Sequence, residues 1–83
     1  MTRLEKLYLK VSSAPANTRF EDLVRLAEAA GFVLERVAGS HHFFCHPNHP
    51  RVVLNLQTAS GQAKAYQVRQ VLDQIDRLQL RSR

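Results

Sequence analysis

Between positions 32 and 57 the chain carries three short runs with strand character, and too few residues separate them for anything but tight reversals. Residues 32–37 run into Ala38-Gly39-Ser40, residues 41–46 into Pro47-Asn48-His49-Pro50, and residues 52–57 into Thr58-Ala59-Ser60-Gly61. Connections this short join neighbouring antiparallel strands, whereas a parallel crossover needs a dozen residues or more. The middle of the chain is therefore a meander of hairpins. Three strands are stable in water only when one face is covered.

Helical periodicity on either side supplies the cover. Leu4, Leu7, Tyr8 and Val11 recur at helical spacing over residues 1–11, with Arg3, Glu5, Lys6 and Lys10 between them. Ser12-Ser13-Ala14-Pro15-Ala16-Asn17 breaks that pattern, with Pro15 as punctuation. Thr18-Arg19-Phe20-Glu21 has the spacing of a capping box, in which the Thr18 hydroxyl and the Glu21 carboxylate would each bond the other's backbone amide. Phe20, Leu23, Val24, Ala27 and Ala30 follow on one helical face, and Gly31 is placed to end that helix in a left-handed conformation. A last helix is expected over residues 65–78, with Val68, Val71, Leu72 and Ile75 inward. The order α-α-β-β-β-α predicts a two-layer α+β domain, a three-stranded antiparallel sheet with its helices on one face.

Alternation assigns the faces of the strands. Val52, Leu54 and Leu56 should meet the helices, leaving Val53, Asn55 and Gln57 outside. In the second strand Phe43 and Cys45 form the more apolar set, which puts His42, Phe44 and His46 on the open face. A slip of one residue would reverse that assignment.

The 83 residues allow one domain with a small core, and a hydrophobic fraction of 45% is enough to fold it. Twelve Lys and Arg against seven Asp and Glu give a net charge of +5, which points to a polyanionic partner. Cys45 is the sole cysteine, so no internal disulfide can form. The N-terminus has no continuous apolar run of the signal-peptide kind, and no stretch approaches the roughly 20 apolar residues of a membrane span. A cytoplasmic location without membrane contact is the expectation.

Chemistry concentrates in Gly39-Ser40-His41-His42-Phe43-Phe44, where a flexible turn opens into two histidines at the start of a strand. Histidine exchanges a proton near neutral pH without tuning by its surroundings. RNA can be cut without a metal when a base takes the 2′-hydroxyl proton and an acid protonates the leaving 5′-oxygen. His42 is the candidate for such a role, and the alternative is a surface histidine with no task. His41 should point to the opposite face and help to fix the turn, while Ser40 would cap a backbone amide or touch a phosphate. Lys64 opens the last helix, where its charge and the helix N-terminus would both attract phosphate. Arg36 and Arg51 are candidates for the same anionic surface, and Phe44 is a candidate platform for a stacked base or part of a protein interface. His41, His42, Cys45, His46 and His49 invite a metal reading. An extended strand separates His42 from His46 by roughly 13 Å, however, too far for one zinc.

In its ordered motifs the chain resembles the HicA toxins of bacterial type II toxin–antitoxin systems. The likeness runs from about residue 19 to 78. It rests on Phe20-Glu21-Asp22-Leu23, Gly31-Phe32, Gly39-Ser40-His41-His42-Phe43-Phe44 with His46-Pro47, Leu54-Asn55-Leu56-Gln57, and Ala63-Lys64-Ala65-Tyr66-Gln67-Val68-Arg69-Gln70. The resemblance implies a fold like the double-stranded-RNA-binding domain. It also implies an mRNA-cleaving endoribonuclease that needs no metal or cofactor and is silenced by a HicB-like antitoxin. The family's catalytic histidine, last in Gly-Ser-x-His, falls on His42. Residues 1–83 would then form a single HicA-like domain, with an N-terminal helical extension and linker over residues 1–17 and the core over 18–80. Some shorter members carry a more basic stretch after the second strand, where this chain has Asn48-His49-Pro50-Arg51, and Gly61-Gln62-Ala63-Lys64 keeps a single lysine. Two other functions fit the residues: a non-catalytic RNA-binding module of the same fold, and an interaction domain for an acidic protein.

Overall fold

The computed structural model describes residues 2–81. Helix α1 (Arg3–Ser13) starts at Thr2, whose hydroxyl accepts the Glu5 amide at 3.0 Å. Met1, part of the expected first helix, lies outside the described residues. A single 3₁₀ turn (Pro15–Asn17) leads to α2 (Phe20–Ala29). Four strands follow, β1 (Val33–Ala38), β2 (His41–His46), β3 (His49–Ala59) and β4 (Gln62–Ala63), and then α3 (Ala65–Arg77). The sheet is an antiparallel meander in the order β1-β2-β3-β4. The three long strands stand where hairpin-length connections require them.

The fourth strand was not expected. It pairs Ala63 with Thr58 and Gln62 with Ala59. Two residues are too few to show alternation, so the sequence offers no pattern for it. Its turn is made by Ser60 and Gly61, with φ of 54° and 82°. Two consecutive left-handed residues match the twist of the strands they join. β4 also bridges Arg19 through Gln62, and the Phe20 amide bonds the Gly61 carbonyl at 2.9 Å. The start of α2 is thereby fastened to the end of the sheet.

The capping box does not form. Arg19 occupies the N-cap of α2 with no side-chain bond, and the Thr18 hydroxyl turns back to donate to the Ala14 carbonyl at 3.0 Å. Thr18 is needed as a backbone acceptor as well, since its carbonyl takes the Ala63 amide. The linker and β4 both draw on this residue, which leaves the helix start to the charges of Glu21 and Asp22.

Leu23, Leu26 and Ala27 of α2 and Val68, Val71 and Ile75 of α3 pack on Leu54 and Leu56, joined by Leu4 and Val11 of α1. Burial of this kind drives the fold. The second strand reverses the expected faces. Phe44 is 1% exposed and belongs to the core, and His46 is buried beside it. The ladder explains this: Phe44 pairs with Leu54 and His42 with Leu56, and directly opposite residues share a face. Once Leu54 and Leu56 turn to the helices, His42, Phe44 and His46 must follow. Phe43 and Cys45 lie on the open face, half-buried, and Cys45 donates its thiol proton to Glu35 Oε1 at 3.3 Å.

Candidate functional site

His42 occupies the second position of β2, just after the Gly39-Ser40 turn. Gly39 turns the chain with φ 62°, a conformation that glycine adopts without cost. The imidazole is half-buried and rests against Phe20 at the start of α2, with ring centroids 4.9 Å apart and planes tilted by 58°. Its Nδ1 lies 3.3 Å from the Ser40 carbonyl oxygen. A carbonyl can only accept, so this contact calls for the ring proton on Nδ1, and in the neutral ring Nε2 is then the acceptor. The expectation that His42 faces away from the helices is thus corrected. It lies on the helix side of the sheet, at the margin where α2 begins.

A polar chain holds the turn beneath it. The Gln57 side-chain amide donates to Ser40 Oγ at 3.3 Å, and the Thr58 amide to the Ser40 carbonyl at 3.4 Å. The Gln57 backbone amide donates in turn to Oε1 of Gln67 at 2.7 Å. Gln67 is 3% exposed on α3, so this bond satisfies a buried acceptor and ties α3 to the strand beside His42. Neither Phe20 nor Gln67 stood out in the sequence as a neighbour of the histidine. A signal for Gln67 existed: it lies four residues before Val71 and eight before Ile75, on the inward stripe of α3.

The other expected site residues do not gather at one place. Ser40 is exposed and serves the turn through the bonds just given. Lys64 is the N-cap of α3, next to Ala63, whose amide bonds Thr18. It therefore lies on the flank that Phe20 and Gly61 share with His42. Arg36 lies on the opposite face, its guanidinium 4.1 Å from the Phe43 ring centroid. Arg51 is exposed at the far end of β3, five residues before the Leu56 that pairs with His42, roughly 16 Å along the strand. Phe44 is enclosed and cannot stack on a base; Phe43 is the aromatic that the open face presents. His41 is on that face too, its Nδ1 3.1 Å from Asn55 Oδ1.

His46 is structural. Its Nε2 donates to the Ala30 carbonyl at 3.0 Å, and its Nδ1 accepts the Asn48 amide at 3.1 Å. Among the described residues no three His, Cys, Asp or Glu side chains converge as a ligand set, and no helix is long and apolar enough to cross a membrane.

No curated protein and no solved structure matches the chain. The family model described as the HicA toxin of bacterial toxin–antitoxin systems matches residues 20–76, from the phenylalanine that touches His42 to the aspartate near the end of α3. The match takes in the whole sheet, α2 and nearly all of α3, more than half of the sequence, and the chain belongs to the HicA toxin family.

Proposed function

We propose that this toxin acts as a metal-independent endoribonuclease on mRNA, with His42 as its catalytic base and a HicB-like antitoxin as its silencing partner. The observation that carries the reading is the placement of His42, whose Nδ1 lies 3.3 Å from the Ser40 carbonyl while Phe20 restrains the ring, an arrangement that suits Nε2 to act as the base. Nε2 then takes the 2′-hydroxyl proton of a bound ribose. The 2′-oxygen attacks the adjacent phosphorus, the bond to the 5′-oxygen breaks, and that oxygen leaves as an alcohol on taking a proton from solvent, to which His42 later returns the one it accepted. The products are a 2′,3′-cyclic phosphate and a 5′-hydroxyl end. Lys64 at the start of α3 suits a phosphate flanking the cut, because its charge and the free amides of the helix start attract the same anion. Residues 1–83 act as one cytoplasmic HicA-like domain in this reading, with residues 1–17 as an extension on the core of 18–80.

Purified chain incubated with mRNA in EDTA tests the reading. Cleavage should persist, yield cyclic or 3′-phosphate ends, and fail on a substrate with a 2′-deoxy residue at the cut. His42→Ala should slow it by about 10² to 10⁴ while leaving RNA binding intact, with circular dichroism to show that the loss of the Phe20 contact has not unfolded the domain. Abolition by EDTA, or 5′-phosphate products, would overturn the mechanism. Undiminished RNA binding by a chain that never cuts would point instead to a binding module.

A further inference from the structure

Strand β1 forms one edge of the sheet, and all six of its residues are exposed. Three of the six exposed large hydrophobic residues among the described ones, Val33, Leu34 and Val37, lie on it. An edge this long and this apolar is a template for another strand. The free stretch of β3 on the other side of the sheet is blunted, by Pro50 and by Gln67, which takes the Gln57 amide.

β1 has a further property. A bulge between Leu34 and Arg36 interrupts the alternation. Val33 pairs with Cys45 on the open face, and Leu34 with Phe44 on the helix side. Glu35 then reaches Cys45, and Arg36 lies over Phe43, so both charges fall on the open face. Val37 returns to the helix side opposite His42, and Ala38 to the open face opposite His41. Read from either end, the faces run open, helix, open, open, helix, open.

Two antiparallel strands related by a two-fold axis must place residues of the same face opposite one another. A regular strand cannot do so about a midpoint between two residues, whereas this bulged one can. Centred between Glu35 and Arg36, the pairing sets Val33 opposite the partner's Ala38, Leu34 opposite the partner's Val37, and Glu35 opposite the partner's Arg36. Apolar residues meet on both faces, and the two central pairs are ion pairs of opposite sign. We infer that a second copy of this chain is the occupant of the β1 edge, giving a two-fold dimer with a continuous sheet across the interface.

Sedimentation of the full-length chain over a range of concentrations tests this. A monomer–dimer equilibrium is expected. Arg36→Glu and Glu35→Arg should each weaken it about tenfold or more, because each sets like charges opposite one another twice per dimer. The double reversal E35R/R36E should restore it, with circular dichroism to confirm that each variant is folded. A wild-type chain that stays monomeric at every concentration overturns the inference. So do folded single variants that dimerise as the wild type does, or a folded double variant that fails to recover.

Discussion

His42 and His46 share one face of one strand, and their surroundings give them different tasks. His46 has both ring nitrogens engaged, by Ala30 and Asn48, and its ring meets the edge of Phe32 at 5.0 Å. Gly31 makes room for it: a Cβ there would lie 2.6 Å from His46 Nε2, at a φ of 101° that side chains resist. Gly31→Ala is expected to cost about 2 to 3 kcal/mol, seen as a lower urea midpoint. Phe44→Ala should cost about 3 to 5 kcal/mol by opening the core, whereas Phe43→Ala should stay within about 1 kcal/mol. Equal costs for the two would contradict the observed faces. The sequence alone favoured the opposite assignment, because two histidines and a phenylalanine look more polar than a phenylalanine and a cysteine. What decides is Leu54 across the ladder, together with a carbonyl and an amide, invisible in the sequence, that let His46 be buried.

Helix α1 is docked by a charged cluster at its outer side as well as by Leu4 and Val11. The Tyr8 hydroxyl donates to Asp76 at 2.8 Å, Arg81 lies 4.0 Å over the Tyr8 ring, and its guanidinium bonds both oxygens of Glu5. The bond to Arg81 holds the Glu5 carboxyl below the usual carboxylate range, so its contribution to docking is present above that range and fades as the pH falls through it. Burial, then the bond to Asp76, raises the Tyr8 phenol, so its contribution is complete below the usual phenol value of about 10 and fades above it. Protection of the α1 amides, measured against their intrinsic exchange rates, should therefore fall at both extremes while that of the sheet holds. Tyr8→Phe should cost about 1 kcal/mol and remove the alkaline loss alone. The helices were legible from apolar spacing, and the long strands from their turns. The contacts that join Glu5 to Arg81 were not, since nothing local links residues so distant in sequence. The same holds for His42: a turn before a strand marked the residue, but its contact with Phe20 exists only once α2 is fastened to the Gly61 turn.

Over the whole molecule the net charge of +5 sets how an RNA would be held. If binding rests on phosphate contacts, log affinity should fall with log salt by about 0.7 per contact on single strands. Titration at several ionic strengths measures that slope, and Lys64→Ala should reduce it by about one contact without moving the cleavage site. Arg36→Ala should leave the slope unchanged, because Arg36 lies on the face away from His42. The order β1-β2-β3-β4 has a kinetic consequence. Every strand pairs with its neighbour in sequence, so the sheet can form from local hairpins with little loop entropy to overcome. The bonds that close α1 onto the far end of the chain span 68 and 76 residues, and on this argument they form after the rate-limiting step. Weakening them should leave the refolding rate unchanged and speed unfolding, so Tyr8→Phe would move one arm of a chevron plot and not the other.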